Sequence, residues 1–318
     1  MAAIGVPSLK ATGIPEDVTR PKRWRDAVLK DVPNDGVRFL FDTAFPWCYP
    51  GGDPVGRPAA GNPADGAIIY DMTEHANGVF DQRVSSGGAL ASYAGGGFDL
   101  TGSTNPLAGG SGTTISTKGV LIPASVLADI HGAFSGASQQ YLIAMYVKLA
   151  TKANMNNAEA GIVTIASDDA YNAAPSLMNL CFQLGDANVG KIQARRQTGA
   201  GTVESTMIVQ AHDDDFATVC QLAVWRNAAG QGLLLRSLTS GQPAKTATAA
   251  VGANNTQDFS AKKFGMGRTG AFSTNNNNLF NGFRLYRGFV ENLARSGRDP
   301  LTLLNADYER VKARGAIA

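Results

Sequence analysis

The sequence predicts an all-β chain: an antiparallel two-sheet β-sandwich with an N-terminal arm and a C-terminal helix. Three observations predict it. Apolar runs recur at intervals of roughly a dozen residues with Gly, Asn and Asp between them, which is the spacing of short antiparallel strands. Charged residues are only 17% of the 318 and glycine reaches 37, a balance that favours strands joined by many turns. The last of these runs leads into a helix started by Asp-Pro, which reads as a latch closing a β-structure.

Residues 1–36 differ from the rest. They are punctuated by proline and carry Arg20, Lys22, Arg23 and Arg25, with a short helix expected from Pro21 that places Trp24 and Val28 on one face. Too few apolar residues are present for a domain. Two roles stay open: an arm that docks on a partner through Trp24 and its basic neighbours, or an extension packing on the main body.

Strand signals begin at Val37. "VRFLFDTAF" and "AIIYDM" flank a loop dense in Gly and Pro, and a Gly-rich stretch follows that reads as turns. "PASVLADIHG" starts one or two helical turns at Pro123. "QQYLIAMYVKLAT" is the strongest strand: Tyr141, Ile143, Met145, Val147 and Leu149 alternate with Leu142, Ala144 and Tyr146, so both faces are apolar and the strand is central. "GIVTIASDD", "SLMNLCFQLG", "GKIQARRQ", "ESTMIVQA", "ATVCQLAVWRN", "QGLLLRSL" and "KKFGMGR" come next, and "WRNAAGQGLLLRS" reads as a hairpin.

In the last strand Leu279, Phe283 and Leu285 face one side and Phe280, Arg284 and Tyr286 the other. Asp299 caps the helix, Pro300 takes its first position, and Leu301, Leu304, Tyr308 and Val311 form its apolar stripe before Gly315 ends it. No linker interrupts residues 37–318, so they are read as one sandwich.

A net charge of +2 gives no general attraction to nucleic acid or an anionic membrane. No run of eighteen apolar residues is present, and the N-terminus lacks the apolar core of a signal peptide, so synthesis and use in a cytoplasm are expected. Cys48, Cys181 and Cys220 are an odd count with no close pair, and read as buried free thiols in preference to a Cys181–Cys220 bridge.

Asp168 and Asp169 end one strand, and Asp213, Asp214 and Asp215 follow His212 before another. Hard oxygens from loops are what Ca²⁺ needs, but a Gly-spaced calcium loop is missing and Asx-type turns are the preferred reading. His75, His131 and His212 lack metal-ligand spacing and read as surface or capping residues. No G-x-S-x-G, P-loop or dinucleotide fingerprint is present. Arg195 and Arg196 read as solvating charges on an edge strand. Trp225 shares a strand face with Val219 and Ala223 and reads as core, which leaves Trp47 and Tyr49 as candidates for stacking on a sugar ring.

The order of these motifs resembles the concanavalin A-like (laminin-G-like) jelly-roll family over residues 37–315. The resemblance is carried by "FLFDTAF" with "AIIYDMTEHANGVF", by "YLIAMYVKLAT" with Tyr146 at an aromatic position, by "ATVCQLAVWRNAAGQGLLLRSL", and by "KFGMGR" followed by "FNGFRLYRGFVENLARSGRDPLTLLNADY". It implies two antiparallel sheets face to face, binding sugar, calcium or protein through loops or a sheet face. The glucanases of that family carry Glu-x-Asp-x-x-Glu on one strand. Here Glu16, Glu74, Glu159, Glu204, Glu291 and Glu309 are scattered, without the paired carboxylates that glycoside hydrolysis needs.

The resulting expectation is a non-enzymatic structural or adhesion protein of a bacteriophage particle, in its tail, fibre, baseplate or head surface. It is expected to need no cofactor beyond Ca²⁺ at most, to assemble with other virion proteins as a homo-oligomer, and to touch a host surface polysaccharide. A free lectin-like protein and a glycan hydrolase with an unfamiliar site are the alternatives. This step rests on analogy of fold.

Overall fold

The computed structural model describes residues 33–45, 48–49, 61–84, 89–102, 118–155, 160–166, 177–182, 189–199, 202–260, 262–268, 282–315 and 317. Its strands are β1 (Val37–Asp42), β2 (Ile68–Ile69), β3 (Gly78–Asp81), β4 (Ser92–Ala94), β5 (Gly97–Asp99), β6 (Lys118–Ile122), β7 (Ala133–Phe134), β8 (Ala137–Ser138), β9 (Tyr141–Lys148), β10 (Ala160–Ala166), β11 (Met178–Phe182), β12 (Lys191–Gly199), β13 (Thr202–Gln210), β14 (Val219–Asn227), β15 (Gly230–Ser237), β16 (Lys245–Ala249), β17 (Lys263–Arg268) and β18 (Arg284–Asn292). The helices are α1 (Ala124–His131), α2 (Leu293–Ser296) and α3 (Pro300–Arg314). One sheet runs β16-β15-β14-β9-β18-β5-β4, with β1 also paired to β18; the other runs β13-β12-β11-β10-β17-β6-β3-β2. Every strand pairing among the described residues is antiparallel.

The strand with two apolar faces, β9, sits between β14 and β18, with Ala144 opposite Ala223 on one side and Phe289 on the other. Tyr141, Ile143, Met145 and Val147 enter the core between the sheets, alongside Leu222 and Val224 of β14 and Leu180, Ile192 and Phe264 of the facing sheet. Leu142 and Ala144 point the other way, into a second apolar cluster with Leu40, Ala223, Trp225, Leu234 and Phe289. That outer cluster needs a cover, since each fully buried large apolar side chain is worth about 1.5–3 kcal/mol only if water is kept away. Leu293 of α2 and Leu303 and Leu304 of α3 supply it.

The β14–β15 hairpin turns through Ala228 and Ala229, with the Asn227 Oδ1 accepting from the backbone N–H of Ala229 (2.9 Å) and Gly230 (3.1 Å). Gly232 lies opposite Trp225, and a Cβ there would run into the indole Cζ2, so the ring lies on bare backbone.

In the last strand Phe283 and Leu285 face the core and Tyr286 the other side, as alternation predicts, while Leu279 and Phe280 lie outside the described residues. A bulge follows between Leu285 and Arg287. A bulge sets two residues against one and reverses the faces beyond it. Leu285 and Val290 therefore face the inter-sheet core, while Tyr286 and Phe289 join the helix side. Unbroken alternation would have driven Arg287 into the apolar core beside Leu285. In α3, Leu301 is 41% exposed, and the face towards the sheet is Pro300, Leu303, Leu304, Asp307 and Val311. The helix is rolled to bring the Asp307 carboxylate to Arg287. β13, not β12, takes the edge, and Arg196 is fully buried, on the side of β12 that carries the core residues Ile192 and Ala194, with its guanidinium on Gln139 and Ala253. The Gly-rich stretch read as turns contains the β4–β5 hairpin, and β6 and β16 are further strands.

Candidate functional site

The face of β9, β14 and β18 turned away from the core is where a sheet-borne site would lie, and α3 occupies it. Asp299 caps the helix by accepting from the Thr302 N–H (2.8 Å), Pro300 follows, and Gly315 ends it at φ +61°. Beneath it the Arg287 guanidinium donates to Asp42 (3.0 Å) and Asp307 (2.8 Å), all three side chains having no exposure. Arg314 approaches Asp42 at 2.8 Å. The Tyr146 hydroxyl donates to Asp307 (2.9 Å), and the Gln221 amide donates to that hydroxyl (3.0 Å) and to the Leu304 carbonyl (3.2 Å). Arg236 donates to the Gln221 Oε1 (2.9 Å), the Asn305 Oδ1 (2.8 Å) and the Leu304 carbonyl (2.6 Å), with its guanidinium 3.9 Å from the Tyr308 ring centre. Burial, then the Asp307 charge, push the Tyr146 phenol well above its ordinary value, so it stays protonated and donating. Each of these groups is matched to another, which fixes where the helix sits.

Of the two sugar-stacking candidates, Trp47 lies outside the described residues. Tyr49 is 5% exposed, with its ring 4.7 Å from that of Phe98 and 5.5 Å from that of Tyr93, and its hydroxyl donates to the Gly61 carbonyl (3.1 Å). Burial carries its phenol up to about 12. Trp225 is core, 6% exposed beneath the helical cover.

The basic segment Arg20, Lys22, Arg23, Trp24 and Arg25 lies outside the described residues, as do Asp168 and Asp169. In the acidic turn, Asp213 pairs with Lys152 (2.7 Å), Asp214 accepts from the Gln242 amide (2.9 Å), and the buried Asp215 accepts from the His212 N–H (2.9 Å) and the Ser240 hydroxyl (2.7 Å). Asp213–Asp215 form a short 3-10 turn. Among the described residues no three metal-ligating side chains gather. The three cysteines are buried and free. Burial raises the Cys48 thiol far out of reach of deprotonation and the Cys220 thiol to about 12. No described helix is long and apolar enough to cross a membrane.

Sequence reasoning missed a pair of buried arginines that shape one end of the sandwich. Arg226 donates to the carbonyls of Val251 (2.9 Å), Gly252 (2.9 Å) and Gln139 (2.9 Å), and Arg196 donates to the Gln139 Oε1 (3.0 Å) and the Ala253 carbonyl (2.5 Å). The segment after β16 is thereby tied down by its backbone. The signal available was the single arginine of the largely apolar β14; in the polar β12, with Lys191, Gln193, Arg195 and Gln197, Arg196 gave none.

No protein-family model matches the chain, and no curated protein matches it. Among solved structures, the binding domain of botulinum neurotoxin serotype D superposes at TM-score 0.47 with 10% identity, covering 90% of this chain and 53% of that one, so the chain spans about half its length. The exoplasmic/lumenal domain of VIP36 in a Ca²⁺- and mannose-bound form gives 0.40 at 10% identity, covering 68% and 83%. Lectin II from Ulex europaeus gives 0.37 at 12% identity, covering 69% and 93%. The fold rests on the strand order and register above: the chain is an antiparallel two-sheet β-sandwich.

Proposed function

We propose that the protein is a non-enzymatic structural or adhesion component of a bacteriophage particle, made in the host cytoplasm and assembled as a homo-oligomer. Residues 1–36 attach it to other virion proteins, and the sandwich is displayed outward, touching a host surface polysaccharide through its loops. The observation that supports this reading is the seam under α3. Its buried charges, Asp42, Arg287 and Asp307, are matched to one another and hold a terminal helix over the outer face of a sheet, which makes a self-contained body suited to display. The basic, Trp-bearing composition of residues 20–25 suits attachment to a protein surface.

A free lectin-like protein is the competing reading, and one experiment separates the two. The chain lacking residues 1–36 is compared with the whole chain for incorporation into particles and for retention on an array of bacterial surface glycans. Loss of incorporation with an intact fold supports the virion reading. Undiminished glycan binding by a protein that enters no particle supports the lectin.

A further inference from the structure

The two sheets end differently at their two sides. At one side the last strands are short, β2 with two residues and β4 with three. Loops also take up the outer backbone there. The Leu40 N–H of β1 donates to the Asp71 carboxylate (2.9 Å), and the Leu40 carbonyl accepts from the Met72 N–H (2.8 Å). In β4 the Tyr93 N–H donates to the Asn62 Oδ1 (3.2 Å). Short strands and covering loops are how a sheet edge is kept from pairing with another chain.

At the other side the sheets end on β13, nine residues long, and β16, five residues long. Among the described residues no strand pairs with the outer edge of either. β16 lies against β13, so the two edges form one wall of the sandwich. β13 reads TVESTMIVQ and β16 reads KTATA, with one charge each and no proline. Met207 and Val209 of β13 are buried, whereas Ile208 is 41% exposed between the exposed Thr206 and Gln210. An antiparallel strand turns about half of its N–H and C=O groups away from its paired neighbour, so a long bare edge is a row of unmet donors and acceptors.

We propose that this wall is where a second copy of the chain joins, β13 lying antiparallel on β13 of the other copy about a two-fold axis and continuing one sheet through both. The inference rests on the reading of the protein as a homo-oligomer and names its interface.

A second copy fits this edge because an antiparallel strand set against itself about a two-fold is self-complementary. Donors of one copy meet acceptors of the other with no further match in sequence. One charge in each strand is too little to repel a second copy, where a protected edge carries several. The size agrees. Strand residues rise roughly 3.4 Å each, which makes the wall about 30 Å long, and two layers about 10 Å apart with their outward side chains make it about 17–20 Å thick. Each copy then covers about 500–600 Å², about 1,000–1,200 Å² in total, which meets the threshold for a specific interface.

The test is the mass of the full chain by analytical ultracentrifugation over a concentration series, with hydrogen exchange at both ends of the series. A dimer is expected, and the outward amides among Thr206 to Gln210 should slow by about tenfold or more as it forms. Ile208→Lys, at an exposed side chain whose loss spares the core, should raise the dimer dissociation constant by about tenfold or more with an unchanged circular dichroism spectrum. Ile68→Lys, 48% exposed on β2 at the other side, should leave it unchanged. If the Ile208 variant misfolds, the exchange measurement on the unaltered chain still decides. A monomer at every concentration, a dimer whose Thr206 to Gln210 amides exchange as in the monomer, or a monomer in which those amides are already protected overturns the interface. A dimer formed through another face spares the homo-oligomer, and incorporation into particles is read in a separate assay, so the virion reading stands or falls by itself.

Discussion

Replacing Arg287 by methionine strands two carboxylates in the seam between β18 and α3. The guanidinium bridges Asp42 and Asp307 at 3.0 and 2.8 Å, with no solvent access to any of the three side chains. Removing one partner of a buried pair costs roughly 3–5 kcal/mol, because the remaining charge keeps its desolvation penalty. Arg314 still approaches Asp42, and Tyr146 still donates to Asp307, which places the loss near the lower end, about 3 kcal/mol. That is a large fraction of the roughly 5–15 kcal/mol by which a domain is stable. The assay is urea unfolding followed by far-UV circular dichroism and by tryptophan fluorescence, which reports on Trp225 under the same cover. With a slope of about 2–3 kcal/mol per molar, the midpoint should fall by about 1 M at unchanged slope. Asp307→Asn and the double variant complete the cycle. The double variant should lose less than the sum of the singles by about 1 kcal/mol or more. A single-variant loss under about 0.5 kcal/mol, or strict additivity, refutes the claim that this network positions the helix.

Other perturbations have equally defined outcomes. Gly232→Ala forces a methyl into the Trp225 indole and should cost roughly 1–3 kcal/mol, with a shifted tryptophan emission spectrum. An unchanged spectrum and midpoint would mean that the ring does not lie on Gly232. Tyr49→Ala should destabilise by about 3–5 kcal/mol in denaturant titrations, as a buried aromatic does, and Tyr49→Phe by about 1 kcal/mol. A Tyr49→Ala protein of native stability that had lost affinity for a glycan would support the stacking role. Cys220, raised to about 12, should resist a thiol reagent at pH 8 in the native state and react on unfolding. Because only its thiolate attacks, native labelling should speed up as pH rises towards that value, and pH-independent labelling would contradict the burial.

Most of the sandwich was legible because period-2 alternation and turn residues are local signals. β9 declares its central place by being apolar on both faces, and the β14–β15 hairpin by Asn227 and the glycines beyond it. The cap of α3 was legible for the same reason, since Asp299, Pro300 and Gly315 act within one turn of themselves. The roll of that helix was not. Asp307 looks like a solvated residue in sequence and is buried only because Arg287, twenty residues earlier, is turned towards it by a bulge. Register shifts leave no mark on composition, so no reading of periodicity places Arg287 on the helix side. Arg196 was misplaced because edge and interior strands of similar composition differ only in what pairs beyond them. β16, "KTATA", escaped notice because an edge strand with alternating exposure needs little apolar content. The burial of Tyr49 was not legible because the loop around it is rich in Gly and Pro while its ring packs on Phe98, a contact distant in sequence.

Hydrogen exchange on the intact chain tests most directly whether α3 is part of the cooperative sandwich. If the Asp42–Arg287–Asp307 seam and the apolar cover act together, the amides of Leu303 to Val311 should exchange only in the global opening that also releases β9. Exchange of those amides at a free energy near zero, with β9 still fully protected, would show a helix resting on the sheet without closing it.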